Sequence, residues 1–431
     1  MAESKEGKTN AAWDLILHEI ENDRPSNDGH YVLDASYIGQ YREARLMAKH
    51  DTSTLVPAPL RKRNLNLLSI SRKQYYVGEF NVFNEFPSME GVKPKYASIP
   101  SYETLNLLNI TSESTAINAF SLSGILDDFL KDGPYVETFN GRMGSGVFSF
   151  NIDDLHGDSL VIDVNSAQIE IDGGFESPSA VAIIEAKNIM HDDFNVRQLY
   201  YPYRRYLEII SKPIHLIFLQ YTNHTYYLYE YRFADPLNFS SIELVQKAIY
   251  TFDDIRVSSD ELWECLCSTD VIYDDNIQSA QMPFIQADRF DRIISLLERL
   301  SADPEGLTSS EVIDFMGLVP RQANYYPAAG EYLHLIDRSQ RGICQLTSKG
   351  RDIMSLGYKE RQLAFAGAMF EHQIFHDAYT FLHNNGDYPD LKMIQEWMRD
   401  FNVCGTTEST IIRRSQSVLG WLRWLESIIE N

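Results

Sequence analysis

Asp172, Glu185 and Lys187 are the side chains whose types and spacing best fit chemistry. They lie in residues 167–187, which read Ala-Gln-Ile-Glu-Ile-Asp, then Gly-Gly-Phe-Glu-Ser-Pro-Ser, then Ala-Val-Ala-Ile-Ile-Glu-Ala-Lys. Two apolar runs around a Gly, Ser and Pro cluster predict two strands joined by a turn over 173–179. Alternation along the second strand puts Glu185 and Lys187 on one face and Ala186 on the other. Asp172 closes the first strand, and a short loop returns it to the same end of the hairpin as Glu185. Two such carboxylates hold a hard divalent cation through oxygen, and the lysine orients and activates a water for attack on a phosphodiester. The competing reading is a solvated edge hairpin with a Glu and a Lys at its rim. The run 181–184 is too apolar for an edge strand, and residues 188–206 are rich in Arg and Tyr, as suits an element facing phosphate.

The flanking elements must position these groups. Residues 111–130 predict one amphipathic helix opened by Thr111 or Ser112, with Ala116, Ala119, Phe120, Leu122 and Leu126 inward. Glu113 sits in its first turn. A resemblance to nucleases in which a carboxylate from such a helix assists at the metal makes it a candidate third metal ligand, and a capping or dipole role competes for it. Glu137 is a second such candidate. The glycine-rich stretch Gly141-Arg-Met-Gly-Ser-Gly146 is expected between that helix and a strand at 147–152. It lacks the Lys-Ser/Thr ending of a phosphate-binding loop, and Arg142 either touches a DNA phosphate or is a solvated arginine in a tight turn. Another strand is expected at 160–164. After Lys187, a helix over 195–210 is interrupted by Pro202. It carries Arg197 as a DNA contact, and Gln198 with Tyr201 or Tyr203 resembles the Gln-plus-Tyr signature that follows the lysine in some nucleases, which makes Gln198 a catalytic candidate. Strands at 213–221 and 226–233 and a closing helix at 241–250 complete an α/β core, a mixed central sheet flanked by helices.

Composition bounds the rest. The 431 residues are 44% hydrophobic and 23% charged, which is globular and sufficient for two or three domains. No apolar run of membrane-spanning length and no signal peptide appears. Cys265, Cys267, Cys344 and Cys404 fit neither a disulfide framework nor a zinc site, so all four read as reduced thiols of a cytoplasmic protein. The net charge of −23 disfavours polyanion binding unless cations are concentrated locally. Three tracts do concentrate them: Arg42 to Lys73, then Arg197 with Arg204 and Arg205, then Arg413 with Arg414 and Arg423.

Two further DNA-reading elements are expected. Near residue 281 begins a helical stripe of Phe290, Ile293, Ile294, Leu297 and Leu300, followed by a short helix capped by Thr308 or Ser309. Pro320 then opens a third helix bearing Arg321, Gln322, Asn324 and Tyr325, and two strands around Arg341-Gly342 form a wing. Three helices and a wing make a winged helix, whose third helix enters the major groove. Arg and Gln suit the guanine and adenine edges there. Pro327 sits awkwardly in that helix, and a protein-packing role for the unit stays open. Residues 410–429 read as a long helix presenting Arg413 and Arg414, either a second helix-turn-helix or a structural terminus with Trp421 and Trp424 in its core.

With these parts placed, Asp172 and Glu185-Ala-Lys187 resemble the PD-(D/E)xK nuclease core. The chain over residues 13–350 resembles a group of type II restriction endonucleases with a C-terminal winged helix. The stretches Ala44-Arg45-Leu-Met-Ala-Lys49-His-Asp51, Leu68-Ser-Ile-Ser-Arg72-Lys-Gln-Tyr75 and Pro320-Arg-Gln-Ala-Asn-Tyr325 contribute to the likeness. The resemblance implies Mg²⁺-dependent cleavage of double-stranded DNA at a short specific site in a prokaryotic cytoplasm, with a cognate DNA methyltransferase as functional partner. It divides the chain into a DNA-contacting subdomain at 1–110, the nuclease core at 111–255, the winged helix at 281–355 and a helical region at 356–431. A palindromic target read by one catalytic set per chain implies a homodimer. A repair or structure-directed nuclease, or a non-cleaving DNA-binding regulator, are the rival readings.

Overall fold

The computed structural model describes residues 5–23, 30–100, 102–105, 107, 110, 112–252, 257–273, 284–318, 322–339, 342–403 and 407–429. Its first unit packs α1 (Lys5–Asp23), α2 (Ala35–Ile38), α3 (Ala44–Ala48) and α4 (Ala58–Arg61) on an antiparallel sheet ordered β1-β3-β2. Those strands are β1 (Tyr31–Asp34), β2 (Asn66–Ser69) and β3 (Gln74–Gly78). Trp13, Ile16, Leu17 and Ile20 recur at helical spacing on α1 and pack with Leu33, Met47, Leu60, Leu67 and Val77. Two short helices, α2 and α3, follow β1.

The central unit runs from β4 (Phe83–Glu85) and β5 (Lys95–Tyr96) through α5 (Glu113–Leu122) and α6 (Ile125–Leu130). Then come β6 (Val136–Gly144), β7 (Val147–Asp153), β8 (Ser159–Asn165), β9 (Gln168–Glu176) and β10 (Val181–Lys187). It ends with β11 (Asp193–Asn195), α7 (Arg197–Leu207), β12 (Ile214–Thr222), β13 (Thr225–Phe233) and β14 (Ile242–Thr251). Seven strands form a mixed sheet in the order β5-β14-β13-β12-β10-β9-β6. β10 pairs antiparallel with β9 and parallel with β12, the crossover being α7. Alternation sorts the core: Val181, Ile183, Leu216 and Phe218 face α7 and the β7–β8 ribbon, while Ala182, Ile184, Ile217 and Leu219 face α5 and α6.

Several expected elements differ. Residues 241–250, expected to be a helix, form strand β14, antiparallel to β13. The β-branched and aromatic Ile242, Val245, Ile249, Tyr250 and Thr251 favour a pleated surface, and a sheet edge was there to be extended. The helix over 111–130 is broken at Gly124, whose φ of +69° ends one helix and opens the next. Ser112 caps α5 by accepting from Thr115, Thr111 lies outside the described residues, and Leu122 is exposed rather than inward. Of the glycine-rich stretch 141–146, Gly141 to Gly144 belong to β6, paired with β9, so Arg142 lies on a strand and not in a tight turn. Pro202 does not interrupt α7, which runs through it. The cost is one missing N–H opposite the Gln198 carbonyl.

The last unit contains α8 (Ser259–Ser268), α9 (Phe290–Ser301), β15 (Leu307–Thr308), α10 (Ser309–Met316) and α11 (Tyr325–Tyr332). β16 (Ile336–Asp337), β17 (Ile343–Leu346), α12 (Ser348–Met354), α13 (Tyr358–Phe370), α14 (Gln373–Asn385), α15 (Leu391–Asp400) and α16 (Glu408–Ser427) follow. Three helices and a small sheet ordered β15-β17-β16 are present. The third helix starts at Tyr325, because Pro327 is tolerated only in a first turn. One apolar core joins this winged part to the terminal helices, with Trp421 donating to the Ala287 carbonyl at 2.8 Å. Among the described residues no helix is long and apolar enough to cross a membrane.

Candidate active site

β10 is buried along nearly its whole length, as its run of Val, Ala and Ile dictates for a strand covered on both faces. The turn of the hairpin lies at 177–180, so Gly173 and Gly174 belong to β9 and Asp172 sits within that strand, not at its end. The β9–β10 ladder stops at the Gly173–Ile184 pair, whereas β10 stays paired with β12 as far as Lys187 and Gln220. Beyond that fork Asp172 takes the place of a ladder carbonyl: its Oδ2 accepts the Ala186 N–H at 2.9 Å.

Lys187 stands in the fork. Its Nζ lies 2.5 Å from Glu185 Oε1, 3.6 Å from Glu113 Oε1 and 4.0 Å from Asp172 Oδ2. It also donates to the Ala186 carbonyl at 2.9 Å. Gln198, in the first turn of α7, donates its Nε2 to the same Glu185 oxygen at 2.5 Å. The sequence-predicted Asp172, Glu185, Lys187, Gln198 and Glu113 are thus brought together from β9, β10, α7 and α5. Glu137 is not among Lys187's partners; it accepts from Asn140 on the sheet edge. Tyr201 donates to the Ser69 carbonyl at 3.1 Å and Tyr203 stacks on Phe233, so both are packing groups.

Burial dominates the electrostatics. Glu185 is pushed up to about 8, first by loss of water, with Lys187 opposing and the Asp172 charge adding. Burial likewise raises Glu113. Burial alone would lower Lys187, but Glu185, Glu113, Asp172 and Asp51 together raise it well above a free lysine. Its ammonium therefore keeps its proton at neutral pH.

Among the described residues no trio of acidic, His or Cys side chains by itself forms a cation cage. The carboxylates converge on the Lys187 ammonium instead. The donor set nonetheless fits a hard divalent cation: oxygens from three elements around one positive centre, with an excess of formal negative charge. Two buried oxygens close by in sequence, Gln198 Oε1 and Asn188 Oδ1, have no hydrogen-bond partner.

Sequence reasoning assigned no site role to Asp51 or Lys49. The Asp51 carbonyl accepts the Asn195 N–H at 2.9 Å, just before α7, and Lys49 Nζ lies 3.2 Å from the Asp51 carboxylate. Burial raises Asp51, but Lys49, Lys187 and Arg197 outweigh it and keep the group ionised. The only local signal was the stretch from Ala44 to Asp51 itself; its approach to α7 is a long-range contact.

The expected DNA contacts are dispersed. Arg142 is exposed and pairs with Glu170 at 3.0 Å. Arg197 lies over the Tyr201 ring, 5.5 Å from its centroid. Arg321 lies outside the described residues, as do Pro320 and Arg341. Gln322 and Asn324 precede the third helix rather than riding on it, and Tyr325 packs partly buried against the core. Arg413 is exposed on α16, whereas Arg414 turns inward and donates to the Phe284 carbonyl at 2.7 Å. Arg204 is buried, bonded to the Ser149 carbonyl at 2.9 Å.

The C-terminal unit docks at this same end of the sheet. Thr222 and Asn223, just past Gln220, bond Ser295, Glu298 and Gln362, and Ile189, two residues after Lys187, is buried in the C-terminal core.

Three family models match the chain, each a domain of unknown function: DUF6996 over residues 10–77, DUF6997 over 78–251 and DUF7226 over 292–430. The first two meet at the end of β3, and the second ends with β14. No curated protein and no solved structure matches the chain.

Proposed function

We propose that this chain is a Mg²⁺-dependent endonuclease of double-stranded DNA, of the restriction type, with a PD-(D/E)xK core. One observation carries the reading: Glu113, Asp172, Glu185, Lys187 and Gln198 converge on one fork at the centre of the sheet. Asp172, Glu185 and Glu113 are the residues that would hold Mg²⁺. Bound there, the ion supplies charge stabilisation and polarisation at the phosphate. Lys187, held protonated by its carboxylates, donates hydrogen bonds: it positions the attacking water and faces the charge that develops on the phosphoryl oxygens. Gln198 fixes the Glu185 carboxylate in a single orientation.

Sequence-specific reading is assigned to the C-terminal unit, with Arg321 and Gln322 as base contacts and a cognate DNA methyltransferase as functional partner. A second reading is a nuclease with the same core that does not read sequence. It is favoured by α11, Tyr325–Tyr332, which carries no Arg or Lys. Incubation of the protein with phage DNA and Mg²⁺ separates the two. Discrete bands support restriction-type cleavage, a smear supports the second reading, and intact DNA removes both.

A further inference from the structure

The catalytic fork borrows from the N-terminal unit, which is a separate family match. Asn195 is the joint. It is buried, its backbone N–H donates to the Asp51 carbonyl at 2.9 Å, and its side-chain amide donates to the His50 carbonyl at 3.0 Å. Its Oδ1 accepts the Arg197 N–H at 3.1 Å. Ser53 adds a second tie, its N–H donating to Asp193 Oδ1 at 2.9 Å. Residues 50–53 are therefore fixed to the start of α7, the helix whose first turn holds Glu185 through Gln198.

Around this joint, cations gather. Lys49, Lys187 and Arg197 all act on Asp51, and Lys49 also acts on Glu113 across the fork. Arg45 and Arg197 act together on Tyr75. Several described cations elsewhere are paired: Arg63 with Glu21, Lys95 and Lys131 with Asp128, Lys212 with Glu176, Arg232 with Glu243. Among the described residues Arg45 and Arg197 have no carboxylate within ion-pair distance. Lys49 has Asp51 alone and remains exposed. A chain of net charge −23 needs such a concentration if a polyanion is to approach.

We propose that the N-terminal unit completes the active site: Lys49 and Arg45 join Arg197 in gripping the DNA phosphates beside the scissile one, and Asn195 is the positioning residue that holds them there. The proposal rests on the nuclease reading and names the wall of that site that meets the substrate backbone. Asp51 holds Lys49 at the joint, and a phosphate oxygen arriving there finds an ammonium already placed.

The experiment measures binding of a 30-base-pair random-sequence duplex by fluorescence anisotropy in Ca²⁺, over a range of salt, beside cleavage kinetics in Mg²⁺. Lys49→Gln and Arg45→Gln should each weaken binding about tenfold at 0.1 M salt. Each should also lower the slope of log affinity against log salt by about 0.9, because one phosphate fewer is neutralised. Lys212→Gln, the same charge change at the far end of β9–β10, should alter neither. Asn195→Ala should raise KM more than it lowers kcat. Combined with Lys49→Gln it should weaken binding less than the product of the two separate effects, because both act on the same phosphate. A merely structural Asn195 gives independent, multiplicative effects and overturns the positioning role. Wild-type affinity and salt slope in both the Lys49 and Arg45 variants, with the wild type binding and cutting normally, overturn the grip and leave the nuclease reading intact. A wild type that neither binds nor cuts removes that reading, and the grip with it.

Discussion

Asp172 and Glu185 differ in what the fold asks of them. Asp172 replaces a ladder partner as well as facing the fork, while Glu185 is buried beside other carboxylates and raised to about 8, chiefly by burial. A folded-state carboxyl raised in this way keeps a proton that the unfolded chain has released above about 4.3. Its contribution to stability is fully present below that value and is lost as pH rises through about 8. Glu185→Gln escapes the loss. The difference in Tm between that variant and the wild type, measured without divalent ions, should grow in the variant's favour from pH 5 to pH 8.5. A constant difference would show that Glu185 ionises normally. Divalent ions should act on the same charges: Ca²⁺ at 100 times its Kd should stabilise the wild type by about 2.7 kcal/mol, seen as a rise in Tm that Asp172→Asn lacks. Alternation alone makes Glu185, Lys187 and Ala186 legible in the sequence. Gln198 is singled out only through the likeness of Gln198 with Tyr201 or Tyr203 to a nuclease signature. Asp51 and Lys49 are not, because about 145 residues separate them from Asn195, and such contacts leave no local period.

At the level of elements, strong short-range patterns are legible and their context is not. β10, β12 and β13 follow their apolar runs, and α9 follows its stripe. β14 reads as a helix because its sequence Ile-Glu-Leu-Val-Gln-Lys-Ala-Ile-Tyr-Thr carries apolar residues at helical spacing too; the partner strand β13 decides the outcome. Gly173 and Gly174 read as turn residues, yet they serve the strand in another way. A Cβ on Gly174 would stand 2.2 Å from the Phe139 ring, which is stacked on Tyr206 with centroids 4.3 Å apart and has little room to turn. Gly174→Ala should therefore destabilise the fold by about 1–3 kcal/mol. A denaturant midpoint lowered with an unchanged m-value would report this, and an unchanged midpoint would show that Phe139 yields. Pro202 and Pro327 both read as breaks; one is accommodated inside α7 and the other sits in a first turn.

Across the whole molecule, both outer units pack at the fork end of the sheet: the N-terminal unit through Asn195, the C-terminal unit through Thr222, Asn223 and Ile189. The mixed α/β class and the helical C-terminal region are legible from the order of the runs; this convergence on one end is not. On the proposed nuclease function, one Asp-Glu-Lys set per chain would have to cut two strands. That function predicts a homodimer, whose two-fold axis would present two equivalent forks to a palindromic site. Light scattering of the DNA complex should give two chains per duplex; one chain per duplex, with nicked circles accumulating before linear product, would refute the dimer. The central claim is tested most directly by supercoiled plasmid cleavage in Mg²⁺, with binding measured in parallel in Ca²⁺. The wild type should cut, while Asp172→Ala, Glu185→Ala and Lys187→Ala should each lose at least ~10²-fold in rate and still bind DNA. Near-wild-type cleavage by any of the three would contradict the account.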